Sequence, residues 1–143
     1  MLDLATADEY GEHFETGVTV CFTFVRNTEK APFFGAQFLQ HIEPKGRYMM
    51  HNPDPAELPR GWVRGLVCFE NPLVIPFNRF DGSSYDTHNW KAELVRHFRA
   101  GGLKLTRKLV QAGHDGIVTV ADGETKEIVQ LPRMTDEGIL VWY

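Results

Sequence analysis

Strand-forming and helix-forming stretches do not alternate along this chain, and their order limits the fold more than any other feature. Val18, Val20, Phe22 and Phe24 alternate with Thr19, Cys21, Thr23 and Val25, which predicts a strand with one buried face. An irregular stretch over 29–61 follows, with five of the eight prolines and three glycines. Within it Arg47 to His51 suits a short strand, after a Pro44-Lys45-Gly46 turn. Trp62 to Glu70 and Leu73 to Ile75 read as two more strands, joined by Asn71-Pro72. Two helices come next. The first covers 88–100, with Trp90, Leu94, Val95 and Phe98 on one face and Asp86 or Thr87 as cap. The second covers 103–112, with Leu105, Leu109 and Val110 inward and Gly113 closing it. Ile117 to Val120, Glu127 to Leu131 and Ile139 to Trp142 read as late strands, with Asp122-Gly123 as the hairpin between the first two. A short helix is expected over 2–14. Strands grouped before and after a helical pair argue against a doubly wound parallel sheet and for an α+β domain with a mainly antiparallel sheet.

The chain has 143 residues, which suits a single domain over 1–143. Hydrophobic residues make up 43% and charged residues 24%, a globular balance. The formal net charge of −4 weighs against general affinity for nucleic-acid backbones, which rests on neutralising phosphates; a local basic patch stays open. Cys21 and Cys68 both lie in apolar runs and read as buried, reduced thiols. The acidic N-terminal stretch lacks the plan of a secretory leader, and no apolar run approaches the length of a membrane span. A cytoplasmic protein is expected.

Several chemistries lack their local signatures. The six histidines form no metal-binding spacing, so no metal is expected. There is no phosphate-binding glycine loop of the Walker or dinucleotide type. The two serines, Ser83 and Ser84, sit in one loop without a nucleophile elbow.

Three stretches carry candidate chemistry. Arg26-Asn27-Thr28 ends the first strand, and an arginine fork there suits a diphosphate or carboxylate; a salt-bridged arginine at a sheet edge is the plainer reading. In Glu43-Pro-Lys-Gly-Arg47-Tyr48, Tyr48 follows a glycine turn and suits stacking on a flat ring, or else is a partly buried core aromatic. In Gly113-His-Asp-Gly-Ile-Val followed by Glu124-Thr-Lys-Glu127-Ile-Val, Glu127 falls at the start of a strand near the sheet rim. A carboxylate there suits an oxocarbenium-like centre, against the commoner case of a solvated glutamate.

Asn71-Pro-Leu-Val-Ile75, Trp90-Lys-x-x-Leu94, Gly113-His-Asp-Gly-Ile-Val118 and Glu127-Ile-Val, taken in order, resemble the C-terminal half of small ADP-ribosyltransferase-like domains of phages and bacteria. The resemblance spans about residues 60–131. His114 stands where tyrosine is commoner in that family, and the glutamate lies in Thr-Lys-Glu rather than Glu-x-Glu.

The resemblance implies split, mainly antiparallel sheets with a few helices and NAD as substrate in a cleft between the halves. It assigns the diphosphate or adenosine ribose to Arg26 with Asn27 and Thr28, and nicotinamide stacking to Tyr48 with Phe34. Glu127 would bind the ribose 2′-hydroxyl, and Thr125 would help select the acceptor. The implied activity is transfer of ADP-ribose to a host macromolecule, with a phage-encoded inhibitor of a host defence complex as one use. A host protein is the expected partner, and a nucleic-acid acceptor stays open. Two alternatives share the fold: an NAD glycohydrolase, and a non-enzymatic module that binds a protein through the aromatic and methionine-rich 33–50 loop.

Overall fold

A computed structural model describes residues 19–28, 41–52, 54, 56–77 and 89–143. The expected helix over 2–14, the helix-cap candidates Asp86 and Thr87, and Phe34 lie outside the described residues. The strands are β1 (Val20–Asn27), β2 (Arg47–His51), β3 (Trp62–Phe69), β4 (Pro72–Pro76), β5 (Gly116–Ala121), β6 (Glu124–Gln130), β7 (Arg133–Met134) and β8 (Leu140–Val141); the helices are α1 (Trp90–Phe98) and α2 (Gly102–Gln111).

Six strands form one sheet in the order β3-β1-β2-β6-β5-β4, and β7 pairs with β8 in a separate ribbon. Among the described residues every pairing in the large sheet is antiparallel except β4 with β5, in which Leu73 lies opposite Ile117. A parallel pair needs a crossover, and the segment carrying α1 and α2 supplies it. The result is an α+β chain with a mixed six-stranded sheet and two helices.

Sheet alternation sorts side chains into two cores. Tyr48, Ile75, Ile117 and Val129 pack against Trp90 and Leu94 of α1 and Leu105 and Leu109 of α2. On the other face Phe22, Met49, Phe69, Val74, Val118 and Ile128 form a second buried cluster. The apolar stripes of both helices are those the sequence periodicity predicts, but the first turn of α1 is buried all round, Lys91, Ala92 and Glu93 included.

Local chemistry places the ends. Asn89, not the expected Asp86 or Thr87, caps α1, its side chain accepting from the Lys91 amide at 3.0 Å. Asp122 and Gly123 both take positive φ, 53° and 76°, as a two-residue hairpin turn requires. Gly65 leaves room for the Phe24 ring across the ladder; a Cβ there would sit 2.8 Å from Phe24 Cζ. A Cβ on Gly116 would overlap the Phe69 ring.

The cysteines overturn their expectation. Cys21 lies directly opposite Cys68 in the β1–β3 ladder, and the two form a disulfide. Both residues are exposed. The apolar runs around them do bury one face, but Phe22, Val67 and Phe69 occupy it. Alternation turns both sulfurs to the opposite side.

Candidate functional site

The cluster of polar groups that stands out is built where β6 departs from regular pairing. Val118 lies opposite Ile128 and Val120 opposite Thr125, so Lys126 and Glu127 together face the single residue Thr119. This is a β-bulge, a feature that re-aims side chains and breaks the ladder. The buried Thr119 hydroxyl fills the broken ladder. It donates to the Glu127 carbonyl and accepts from the Glu127 amide, both at 2.8 Å.

The Glu127 side chain rises on the helical face. Trp90, the first residue of α1, donates its indole N–H to Glu127 Oε1 at 3.2 Å. The adjacent Lys91 places its ammonium 2.6 Å from Glu43 Oε2, with both side chains buried. That ammonium also lies 5.7 Å from the Tyr48 ring centre and 5.8 Å from the Trp90 ring centre. Tyr48 donates its hydroxyl to the Pro44 carbonyl at 2.6 Å, and its ring centre is 6.3 Å from that of Trp90. Two carboxylates, one ammonium, a phenol and an indole therefore share a mostly dehydrated space.

Their electrostatics follow from that burial. Desolvation pushes the Glu127 carboxyl above its ordinary range; Lys91 pulls it down, Glu43 pushes it up, and the Trp90 hydrogen bond lowers it. Tyr48 is raised by burial first and then by the two glutamates. Glu127 is only 7% exposed. Val25, Met50 and Glu127 form one row across β1, β2 and β6, and Met50 is 43% exposed.

Glu127 and Tyr48, two of the candidates read from sequence, come together here. Glu127 does not open its strand at the rim, as the sequence suggests; it lies within β6, three residues after Glu124. Tyr48 takes the buried-core alternative. Arg26 is not brought to this cluster. Val25 shares the face of Met50 and Glu127, so alternation puts Arg26 on the opposite face, paired with Val63. Asn27 pairs with Trp62, and the Thr28 hydroxyl donates to the Gly61 carbonyl at 2.8 Å. Thr125 lies opposite Val120, just before the bulge.

Residue type and spacing do not reveal Glu43, Trp90, Lys91 and Thr119 as site residues. Trp90 looks like a plain core position, and Lys91 has no periodic signal because it stands next to the core face. The bulge that recruits Thr119 leaves no mark in composition. Glu43 did begin a stretch singled out for its tyrosine.

The motif pieces behind the resemblance are joined by hydrogen bonds. The Asp115 carboxylate accepts from the amides of Glu70 at 2.7 Å and Asn71 at 3.0 Å. Asn71 donates its side-chain amide to the Gly113 carbonyl at 2.9 Å. The aspartate and asparagine thus tie the β3–β4 turn to the turn entering β5. Burial lowers the His114 pKa, against the Asn71 carbonyl and Asp115, which raise it.

Among the described residues no group of three or more His, Cys, Asp or Glu is placed to hold a metal ion. No described helix is long and apolar enough to cross a membrane. The chain matches no protein-family model, no curated protein and no solved structure.

Proposed function

We propose that the chain is an ADP-ribosyltransferase-like enzyme that transfers ADP-ribose from NAD to a protein of a host cell. The observation that carries this reading is the Glu127 carboxylate. It is the glutamate the resemblance selects, one oxygen is held by Trp90 Nε1, and its pairing partner on β2, Met50, is exposed. A pinned, partly dehydrated carboxylate suits a centre where positive charge develops.

In this reading Glu127 accepts a hydrogen bond from the 2′-hydroxyl of the nicotinamide ribose. As the bond to nicotinamide breaks, the carboxylate stabilises the growing charge on the ribose. Burial disfavours the ionised form of Glu127, and Lys91, held by Glu43, offsets part of that. Trp90 orients it. Arg26 lies on the opposite face and has no part in this step.

The test is nicotinamide release from NAD by the wild type and by Glu127→Gln, with and without cell lysate. Release that requires both lysate and Glu127 supports a transferase. Glu127-dependent release without lysate makes water the acceptor and the enzyme a glycohydrolase. Losing a group of this kind costs on the order of 10²–10³ in rate.

A second reading is a non-enzymatic binding module, favoured by Met50, which is exposed on the face it shares with Glu127. The Tyr48 ring is buried and its hydroxyl is bonded to Pro44, so it is open neither to nicotinamide nor to a partner. No release and no NAD-induced thermal shift would select the binding module.

A further inference from the structure

We propose that the Cys21–Cys68 disulfide is a thiol-exchange site, at which a small thiol of the glutathione class forms a mixed disulfide with Cys68. This does not depend on the reading of Glu127. It rests on register, exposure and position in the sheet.

Cys21 and Cys68 face each other across β1 and β3 and project on the helical side of the sheet. The core beneath the helices draws on β2, β4, β5 and β6. Among the described residues the β1–β3 pair contributes nothing to it, and both cysteines are exposed. Leu66, two residues before Cys68 on the same face, is 67% exposed. The disulfide lies outside both apolar clusters of the described residues.

Exchange proceeds by attack of a thiolate on one sulfur, and access to that sulfur governs which is attacked. β3 is the edge strand of the six-stranded sheet. The Cys68 sulfur is therefore approachable from beyond the sheet, on the side away from Cys21. The incoming thiolate forms a new S–S bond to Cys68 as the Cys21–Cys68 bond breaks. The electron pair leaves on Cys21, which takes a proton from water. A second thiol attacking the mixed disulfide frees Cys68 and yields the oxidised small thiol. The two electrons come from the two small thiols, and no other reductant is needed.

The site follows the redox poise of its surroundings. A compartment buffered by reduced thiol favours the open pair, and an oxidising compartment keeps the bond.

The experiment treats the oxidised full chain with excess reduced glutathione in native buffer. The reaction is quenched with acid and followed by intact mass and peptide mapping. A parallel sample is reacted in denaturant. We expect a single glutathione adduct on Cys68, forming in native buffer at a rate within about tenfold of the unfolded chain, because access is not rate-limiting. As a second arm, Cys21→Ser and Cys68→Ser are each treated with oxidised glutathione, and Cys68 should take up glutathione faster than Cys21; equal or reversed rates would overturn the selectivity. Reaction only after denaturation would overturn the proposal. So would an adduct confined to Cys21, or two free thiols in the chain before any reductant is added.

Discussion

Thr119 and Glu127 are joined by two hydrogen bonds through one hydroxyl, which donates to the Glu127 carbonyl and accepts from its amide. This pairing replaces the ladder that the bulge interrupts. It presents the Glu127 side chain to Trp90. Thr119→Val keeps the shape and removes both bonds, leaving buried backbone groups unsatisfied. We expect a loss of about 1–3 kcal/mol in urea unfolding, together with reduced Glu127-dependent activity. Thr119→Ser should retain most of both.

The raised pKa of Glu127 gives a pH dependence of definite sign. Its ordinary value is 4.5, and burial lifts it in the folded chain. The folded state holds this proton more tightly than the unfolded state. The contribution to stability is fully present below about 4.5 and is lost as pH rises through the folded value. Thermal unfolding of the wild type across that window should therefore show a destabilising step on going up in pH. Glu127→Gln cannot titrate, so the step should vanish, and an identical profile in the variant would refute the assignment.

Lys91 and Glu43 are a fully dehydrated ion pair at 2.6 Å. Removing one partner leaves a buried charge, at a cost of about 3–5 kcal/mol. Lys91→Met and Glu43→Gln should each show a loss of that order in urea unfolding. The double variant should recover a large part of it, because the orphaned charge is gone. A double-variant cycle with additive losses would mean the two groups are not coupled.

The disulfide joins residues 47 positions apart. By the chain-entropy account, closing a loop of that length stabilises the fold by about 4 kcal/mol. Reduction, or the paired change Cys21→Ser with Cys68→Ser, should lower unfolding stability by about 2–4 kcal/mol. The chain should still fold, since β1 and β3 are paired along their whole length. Equilibrium urea curves for the oxidised, reduced and substituted chains check this.

Much of the architecture was readable because it depends on local pattern. The apolar spacing of Trp90, Leu94, Leu105 and Leu109 specified the helical faces. Asp122-Gly123 specified a hairpin, because few other pairs adopt two consecutive positive φ values at low cost. Arg47 to His51 was legible as a strand even within an irregular stretch. β6 starts three residues before the strand the sequence predicts, because Glu124, Thr125 and Lys126 carry no apolar alternation and are held by pairing with β5.

The site was legible only in part, since its geometry is non-local. Glu127 and Tyr48 were found as residue types in suggestive settings, but the face of the sheet each occupies depends on register. One position of register separates Val25, on the face of Glu127, from Arg26, on the other. Lys91 and Glu43 are 48 residues apart and meet only because α1 is laid over β2 and β6 by the crossover from β4 to β5.

Without reaching β7 or the burial of Lys91 and Glu93 in α1, the sequence by itself determined most of the strands, the two described helices with their apolar stripe, and the Asp122-Gly123 hairpin. These follow from residue conformational preference and the spacing of apolar side chains over a few positions. Only the tertiary structure decided that Cys21 and Cys68 meet, that Thr119 closes a bulge under Glu127, and that a lysine is buried beside two aromatic rings. Each of those depends on strand order and register, quantities set by the packing of the whole sheet against its helices and not by any short run of residues.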